Sequence, residues 1–144
     1  MNVFHRLDAT LKLPQEEAML VASVRALARD QIAPRAGHYD RGGEFPHDNV
    51  SAINALGLNA MFIPEANGGA QMSYAAYLEC VREISKACAS TGVIWATNFH
   101  AVKPVIDFGT DEQKKRWLPV MLGGGLASLT ITEASAGSDA TCNR

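Results

Sequence analysis

The chain has 144 residues, about one domain by the usual size of ~100–200 residues. Its hydrophobic content of 47% and charged content of 19% are typical of a soluble globular protein. The formal net charge of −2 disfavours binding to nucleic acid or to an anionic membrane, and no apolar run reaches the ~18 residues that a transmembrane helix needs.

The first predicted helix begins at Pro14, where a missing amide costs nothing, and its apolar residues follow helical spacing to Ile32. Pro34 is expected to kink or end this helix near Ala33, because proline removes a backbone donor and restricts the residue before it. Residues 37–45 contain a Gly-Gly pair and are predicted to form a loop.

Two further helices are predicted around a turn in the middle of the chain. One opens at Pro46 and ends at Gly57, and the other is capped by Ser73. Between them, residues 65–69 form a turn that ends in Gly-Gly. A phosphate-binding role for this Gly-Gly pair is possible, but the motif is very weak on its own.

The last two predicted helices have clear boundaries. One covers about residues 90–108, is apolar on two faces, and contains Pro104, which suggests a kink. The other begins with a capping box in which the Thr110 hydroxyl binds the Gln113 amide and the Gln113 side chain reaches back. A run of three glycines from Gly123 ends it.

β-type sequence appears only after these helices. Residues 129–132 favour a strand, and residues 134–138 are small residues that let the backbone approach a ligand closely. A lone strand leaves its backbone groups unpaired, so it is expected to be the first strand of a truncated β domain. The sequence therefore predicts a mainly α protein: an antiparallel bundle of four to five helices in residues 1–125, followed by the start of a β domain in residues 126–144.

Residues 132–139 resemble the flavin-binding signature Thr-Glu-Pro-Gly-Ala-Gly-Ser-Asp of the acyl-CoA dehydrogenase family. Residues 62–69 are similar to the family's Pro-Glu-x-x-Gly-Gly segment, and residues 108–114 are similar to its Phe-Gly-Thr-x-x-Gln-Lys helix start. Each motif is weak alone, but they occur in the family's order and spacing. The matching signature positions are Thr132, Glu133, Ala136, Gly137, Ser138 and Asp139.

The resemblance implies a flavoenzyme that binds FAD and an acyl-CoA thioester. In such enzymes a carboxylate base removes the α-proton while the β-hydride passes to the flavin. The base in the family is a glutamate from a C-terminal helical domain, beyond Arg144, so this chain alone is expected to be inactive and to lack a catalytic residue. The resemblance also implies an electron-transfer flavoprotein or a similar electron acceptor, and homo-oligomers among full-length relatives.

The resemblance also assigns binding residues. The strand and turn are expected to contact the cofactor through backbone amides and hydroxyls, which would stabilise negative charge on reduced flavin. Ser138 is expected near both the FAD pyrophosphate and CoA, and the fourth helix is expected to line the acyl pocket. The cofactor residues are Leu129, Thr130, Ile131, Thr132, Gly137 and Ser138, and the substrate residues are Ser138, Trp95, Phe99 and Val102.

Several of these residues also have a purely structural interpretation. Trp95, Phe99 and Val102 form an i, i+4, i+7 stripe that could simply be core. Glu133 and Asp139 are expected to hold the turn and not to act as catalysts. In addition, Ala134-Ser135 replaces the family's Pro-Gly, so the turn is expected to be of another type.

A second function class stays open: a helical interaction module, or an inactive truncated paralogue, that binds no flavin. The three cysteines show no metal-ligand spacing and are expected to be free thiols, and no metal site is predicted. No signal peptide is evident at the start of the chain, so a cytoplasmic protein is expected.

Overall fold

Five helices make up the part of the chain that the computed structural model describes, which is residues 12–139 and residue 141. The first of the five combines α1 (Gln15–Leu27), a π-helical turn over Ala28–Ile32, and α2 (Ala33–Gly42). The mainly α prediction is therefore confirmed. The segments are α1 (Gln15–Leu27), α2 (Ala33–Gly42), α3 (His47–Ala55), α4 (Tyr74–Ala87), α5 (Ala89–Phe108) and α6 (Asp111–Leu122).

The first helix is longer than predicted. Pro34 lies in the first turn of α2, directly after the π-helical turn, where its missing amide is accommodated. The helix continues to Gly42. Gly43 caps it in the left-handed conformation, with a φ of 63°. The predicted loop over residues 37–45 is thus wrong for residues 37–42. The π-helical turn before Pro34 allows the helix to continue beyond this proline.

The contacts between helices fix their directions. On α4 and α5, Tyr77 packs against Trp95 while Ser85 lies against Gly92, so these two helices run antiparallel. In contrast, α1 and α4 run parallel, since Glu17 contacts Ser73 at one end and Arg25 contacts Glu83 further along both helices. None of the described helices is long and apolar enough to cross a membrane.

Two apolar clusters form the core. The larger one joins α1, α3, α4 and the first half of α5, and it includes the fully buried Ile53, Leu58 and Ile84. The smaller one joins α5 to α6 through Val102 and Leu118. Burying side chains of this size contributes roughly 1.5–3 kcal/mol each, so the two clusters supply the main stabilising term of the bundle.

The described residues after α6 form no strand. Residues 125–133 are irregular: the Gly125 amide bonds back to the Val120 carbonyl of α6, and the main-chain bonds of Glu133 belong to the turn that follows. A β-strand is stabilised by a neighbouring strand, and the described residues offer none. The β-branched sequence of residues 130–132 is therefore compatible with a strand but cannot form one here. The proposed domain boundary at residue 125 stays a prediction.

The Gly-Gly turn is explained by packing. The residues Glu65–Asn67 form a 3-10 turn, and Gly68 follows with a φ of 84°. A Cβ atom on Gly69 would lie 1.9 Å from the main-chain oxygen of Ile63, so only glycine fits there. The positive φ of Gly68 and the close backbone contact at Gly69 explain why glycine occupies both positions, without a role in binding phosphate.

Candidate functional site

The segment at residues 129–138, called the flavin segment below, is held to the bundle at its start. The Ala127 amide donates to Asn98 Oδ1 on α5 at 2.7 Å. Just before it, Gly124 has a φ of 92°, and its carbonyl accepts a bond from Asn54 Nδ2 at 3.0 Å. The chain therefore leaves the bundle at a defined point two residues before Leu129.

The predicted cofactor residues in the first half of the flavin segment are exposed. Thr130 and Thr132 are both accessible to solvent. Leu129 and Ile131 are 51% and 52% exposed, although both are apolar. Thr130 and Thr132 are therefore not buried against the helices. An apolar side chain half exposed on each side of a hydroxyl is suited to one face of a planar, partly polar ligand.

The second half of the flavin segment is a tight turn. The Glu133 amide donates to the Ala136 carbonyl at 2.9 Å, and the Ala136 amide donates back to the Glu133 carbonyl at 3.4 Å. Among the described non-glycine residues only Gln71 has a positive φ, so Ser135 does not adopt the conformation of the family's glycine. The turn is therefore not the type II turn, with a positive φ at its second central residue, that a Pro-Gly pair favours.

Asp139 supports this turn as predicted, because its Oδ1 accepts the Gly137 amide at 3.0 Å. Ala136 is buried, whereas Gly137 and Ser138 are exposed. A Cβ atom at Gly137 would meet nothing within 4 Å, so the space beside this amide is open. A ligand that took the Gly137 amide would replace the bond to Asp139.

The three predicted acyl-pocket residues share one place. Trp95, Phe99 and Val102 line a narrow cavity of about 20 Å³ between α5 and the turn that carries Phe62. Phe99 packs on Phe62 with ring centroids 3.8 Å apart. Trp95 and Val102 are also buried core residues, so their structural interpretation is correct and does not exclude a role in the wall of the cavity.

A second cavity links this wall to the flavin segment. It has a volume of about 190 Å³ and lies between α5, α6 and the residues that lead into the segment. Val102 lines both cavities, and Ala127 and Ser128 line the second. Val102 and the two residues before the segment, Ala127 and Ser128, are therefore brought together. Ser138, in contrast, is exposed and lines neither cavity.

The sequence patterns missed two polar residues of this site, Asn59 and Asn98. Both line the narrow cavity among apolar side chains, and Asn98 is only 4% exposed. The available signal was a polar residue on an otherwise apolar stretch of α5, since buried polar groups are normally hydrogen-bonded. Among the described residues, no group of three or more His, Cys, Asp and Glu could hold a metal ion.

The donors of the flavin segment fit the polar edge of a flavin in their chemistry. Exposed threonine and serine hydroxyls can donate to carbonyl and phosphate oxygens, and Gly137 leaves room for a close backbone approach. Apolar Leu129 and Ile131 stand between these donors. This mixture of a few directed donors with apolar surface is typical of a cofactor site.

Residues 14–138 match the family model described as acyl-CoA dehydrogenase, N-terminal domain. The chain is 37% identical over 138 residues to a mitochondrial short-chain specific acyl-CoA dehydrogenase of Sus scrofa, covering 94% of this chain and 33% of that protein. The chain thus spans about a third of the length of this relative.

Two solved structures share the fold. One comes from work on the electron transferring flavoprotein of Acidaminococcus fermentans, with a TM-score of 0.85 and 26% identity over 93% of this chain and 36% of that chain. The other is an acyl-CoA dehydrogenase of Bacillus anthracis complexed with FAD, with a TM-score of 0.78 and 23% identity over 92% of this chain and 23% of that chain. The match over residues 14–138 shows that this chain belongs to the acyl-CoA dehydrogenase family.

Proposed function

We propose that this chain provides the N-terminal part of a FAD-dependent acyl-CoA dehydrogenase, an oxidoreductase acting on a CH–CH bond of an acyl-CoA thioester. The observation that carries the proposal is the position of the flavin segment. It leaves the bundle beside the α5 residues that line an apolar cavity, and its hydroxyls are exposed. Family membership over residues 14–138 supports the same function.

In this proposal the flavin segment holds the polar edge of the cofactor. FAD, when bound, supplies the redox chemistry by accepting a hydride. The Thr130 and Thr132 hydroxyls and nearby amides donate hydrogen bonds to this edge, and their placement before the reaction stabilises negative charge as it develops. Leu129 and Ile131 cover apolar parts of the ring, and Gly137 and Ser138 bind phosphate oxygens.

The α5 residues would form the wall for the acyl group. Trp95, Phe99 and Val102 offer apolar surface that favours an alkyl chain and excludes water. Exclusion of water strengthens electrostatic interactions at the reacting carbons. Because the narrow cavity is small, the wall would have to open at Phe99, which is only partly buried, to admit a substrate.

Turnover would require parts that this proposal does not assign to the chain. Forming the double bond would require a base to take one proton from the α-carbon, FAD to supply the hydride acceptor for the β-carbon, and a separate acceptor to reoxidise the cofactor. No described residue is proposed as the base. An electron transferring flavoprotein or a similar protein is proposed as the acceptor, and a homo-oligomer as the assembled form.

The test is a titration of the purified chain with FAD, followed by flavin fluorescence and by the yellow colour of the separated protein. Thr132→Val and Ser138→Ala each remove one hydroxyl from the flavin segment, and each should weaken FAD binding about tenfold. Ser23→Ala removes an exposed hydroxyl on α1 that bonds only to Met19 within the same helix, and it should leave binding unchanged.

The alternative, a helical interaction module or inactive paralogue without flavin, makes the opposite prediction. The wild-type chain would then be folded, colourless and indifferent to added FAD. An affinity that responds equally to the flavin-segment variants and to Ser23→Ala would also contradict the proposed role of the segment.

A further inference from the structure

Three asparagine side chains connect the two ends of residues 124–127, called the linker below, which precede the flavin segment. Asn98 Oδ1 accepts the Ala127 amide, and Asn98 Nδ2 donates to Asn59 Oδ1 at 3.4 Å. Asn59 Nδ2 donates to Asn54 Oδ1 at 3.0 Å, and Asn54 Nδ2 donates to the Gly124 carbonyl at 3.0 Å. Asn54, Asn59 and Asn98, called the asparagine relay below, therefore form one continuous path from residue 127 back to residue 124.

The direction of the asparagine relay is fixed at both ends. The Ala127 amide can only donate, so the oxygen of Asn98 must face it. The Gly124 carbonyl can only accept, so the nitrogen of Asn54 must face it. Each amide in the path then donates on one side and accepts on the other. A carboxylate at any of the three positions would break the path, because it cannot donate.

The relay joins three separate parts of the bundle. Asn54 lies on α3, Asn59 lies in the 3-10 turn Leu58–Ala60, and Asn98 lies on α5. Asn59 Nδ2 also donates to the Met121 carbonyl at the end of α6. The linker approaches so closely that a Cβ atom on Gly124 would lie 2.9 Å from Asn54 Nδ2. The bundle thus holds residues 124–127 through side-chain amides in addition to the main-chain bonds that the Gly124 and Gly125 amides donate to α6.

We propose that the asparagine relay positions the flavin segment against α5, so that Asn54, Asn59 and Asn98 act as positioning residues for the cofactor. Asn98 stands on the same helix as Trp95, Phe99 and Val102, and it lines their cavity. The Asn98 side chain therefore links the acyl-pocket wall to Ala127, two residues before the segment. This inference rests on the proposed flavin-binding function for its consequence, but the anchoring itself can be measured without flavin.

The test compares four variants of the full chain. Asn98→Leu removes the acceptor and the donor, whereas Asn98→Asp retains the acceptor for Ala127 but replaces the donor to Asn59 with a carboxylate oxygen at a position only 4% exposed. Asn54→Ala removes the contact to Gly124, and it lies two amides away from Ala127. The matched control is Asn49→Leu, which removes a fully buried asparagine that bridges the same helices, α3 and α5, through Thr91 Oγ1.

The first measurement is hydrogen exchange of the Ala127 amide, resolved by NMR without added flavin. Asn98→Leu should raise its exchange rate about tenfold, the value expected for one lost hydrogen bond. Asn98→Asp should restore most of the protection, and Asn54→Ala should raise the rate in the same direction by a smaller factor. Asn49→Leu should destabilise the bundle but leave this amide at the wild-type rate after correction for global stability.

The second measurement is the dissociation constant for added FAD. Asn98→Leu and Asn54→Ala should weaken binding, and Asn49→Leu should not. If exchange at Ala127 is the same in Asn54→Ala as in the wild type, the relay does not act as a unit and the inference is overturned, even when Asn98→Leu does not fold. If exchange responds as expected but the wild type binds no FAD, the anchoring stands and the proposed function fails.

Discussion

Glu17 joins α1 to the start of α4, and its removal should be one of the most destabilising single changes in the bundle. This carboxylate is only 8% exposed. It accepts the Ser73 amide at 2.7 Å and the Ser73 hydroxyl at 2.6 Å. Ser73 Oγ in turn accepts the Ala76 amide at 3.2 Å and so caps α4. One acidic side chain thus fixes the residue that caps the neighbouring helix.

The cost of Glu17→Ala follows from these bonds. A hydrogen bond to a charged group contributes roughly 1.5–3 kcal/mol, so the loss of two gives about 3 kcal/mol at the lower end of that range. Glu17→Gln retains an acceptor without the charge and should cost about half as much. Ser73→Ala removes the cap and one of the two bonds, which should cost about 2 kcal/mol.

The assay is urea unfolding of Glu17→Ala, of Ser73→Ala and of the Glu17→Ala/Ser73→Ala double variant. Because both residues belong to one network, the double variant should cost at least 1 kcal/mol less than the sum of the singles, a rough threshold set by typical coupling energies. A cost of Glu17→Ala below about 1 kcal/mol, or strict additivity, would refute the argument, since either result would mean that Ser73 keeps its position and partners without the carboxylate.

Three further predictions concern pH, capping and thiol reactivity. Burial alone would raise the pKa of Glu83, but hydrogen bonds from Arg25 and Lys86 outweigh it and lower the pKa below its usual 4.5. The ionised Glu83 stabilises the folded state at pH values above the unfolded pKa of about 4.5, and this contribution is lost as the pH falls through the lower folded pKa. The difference in the free energy of unfolding between the wild type and Glu83→Gln should therefore shrink as the pH is lowered. Thr110→Ala should cost about 1 kcal/mol in urea unfolding, because it removes the cap of α6. Burial raises the pKa of Cys80 to about 12, so iodoacetamide at pH 8 should label this thiol only after unfolding, and labelling of Cys80 itself in the native chain, located by peptide mapping, would contradict its burial.

Local signals in the sequence predicted the helix ends and turns well. The capping box at Thr110 has both expected bonds, at 2.8 Å and 3.3 Å to Gln113. Ser73 caps α4 through its hydroxyl, as predicted. These features depend on residues three positions apart, so the sequence contains all the groups that form them.

Features that depend on distant residues were not predictable in the same way. Pro34 was predicted to kink or end the first helix, and the π-helical turn before it, which the sequence pattern did not indicate, lets the helix continue. Residues 129–132 have the composition of a strand, but a strand also needs a neighbour to bond with. The asparagine relay unites positions 54, 59 and 98, and nothing in the local sequence shows that these amides meet.

The site could be predicted only in part, because some of its features are local in sequence and others depend on the packing of distant residues. The signature predicts that residues 129–138 bind the flavin, and the helical spacing of Trp95, Phe99 and Val102 correctly implied that they share one face. Their common cavity with Asn59 and Asn98 depends on the packing of α5 against the turn after α3. The assignment of the individual binding residues stays a prediction.

The most direct test of the central claim is hydrogen exchange of residues 129–138, measured with and without added FAD. The proposal predicts that FAD binds the chain in a 1:1 ratio and slows amide exchange in this segment, with smaller changes in α1 and α2. Absence of binding, or binding that protects other regions while residues 129–138 exchange as in the free chain, would contradict it.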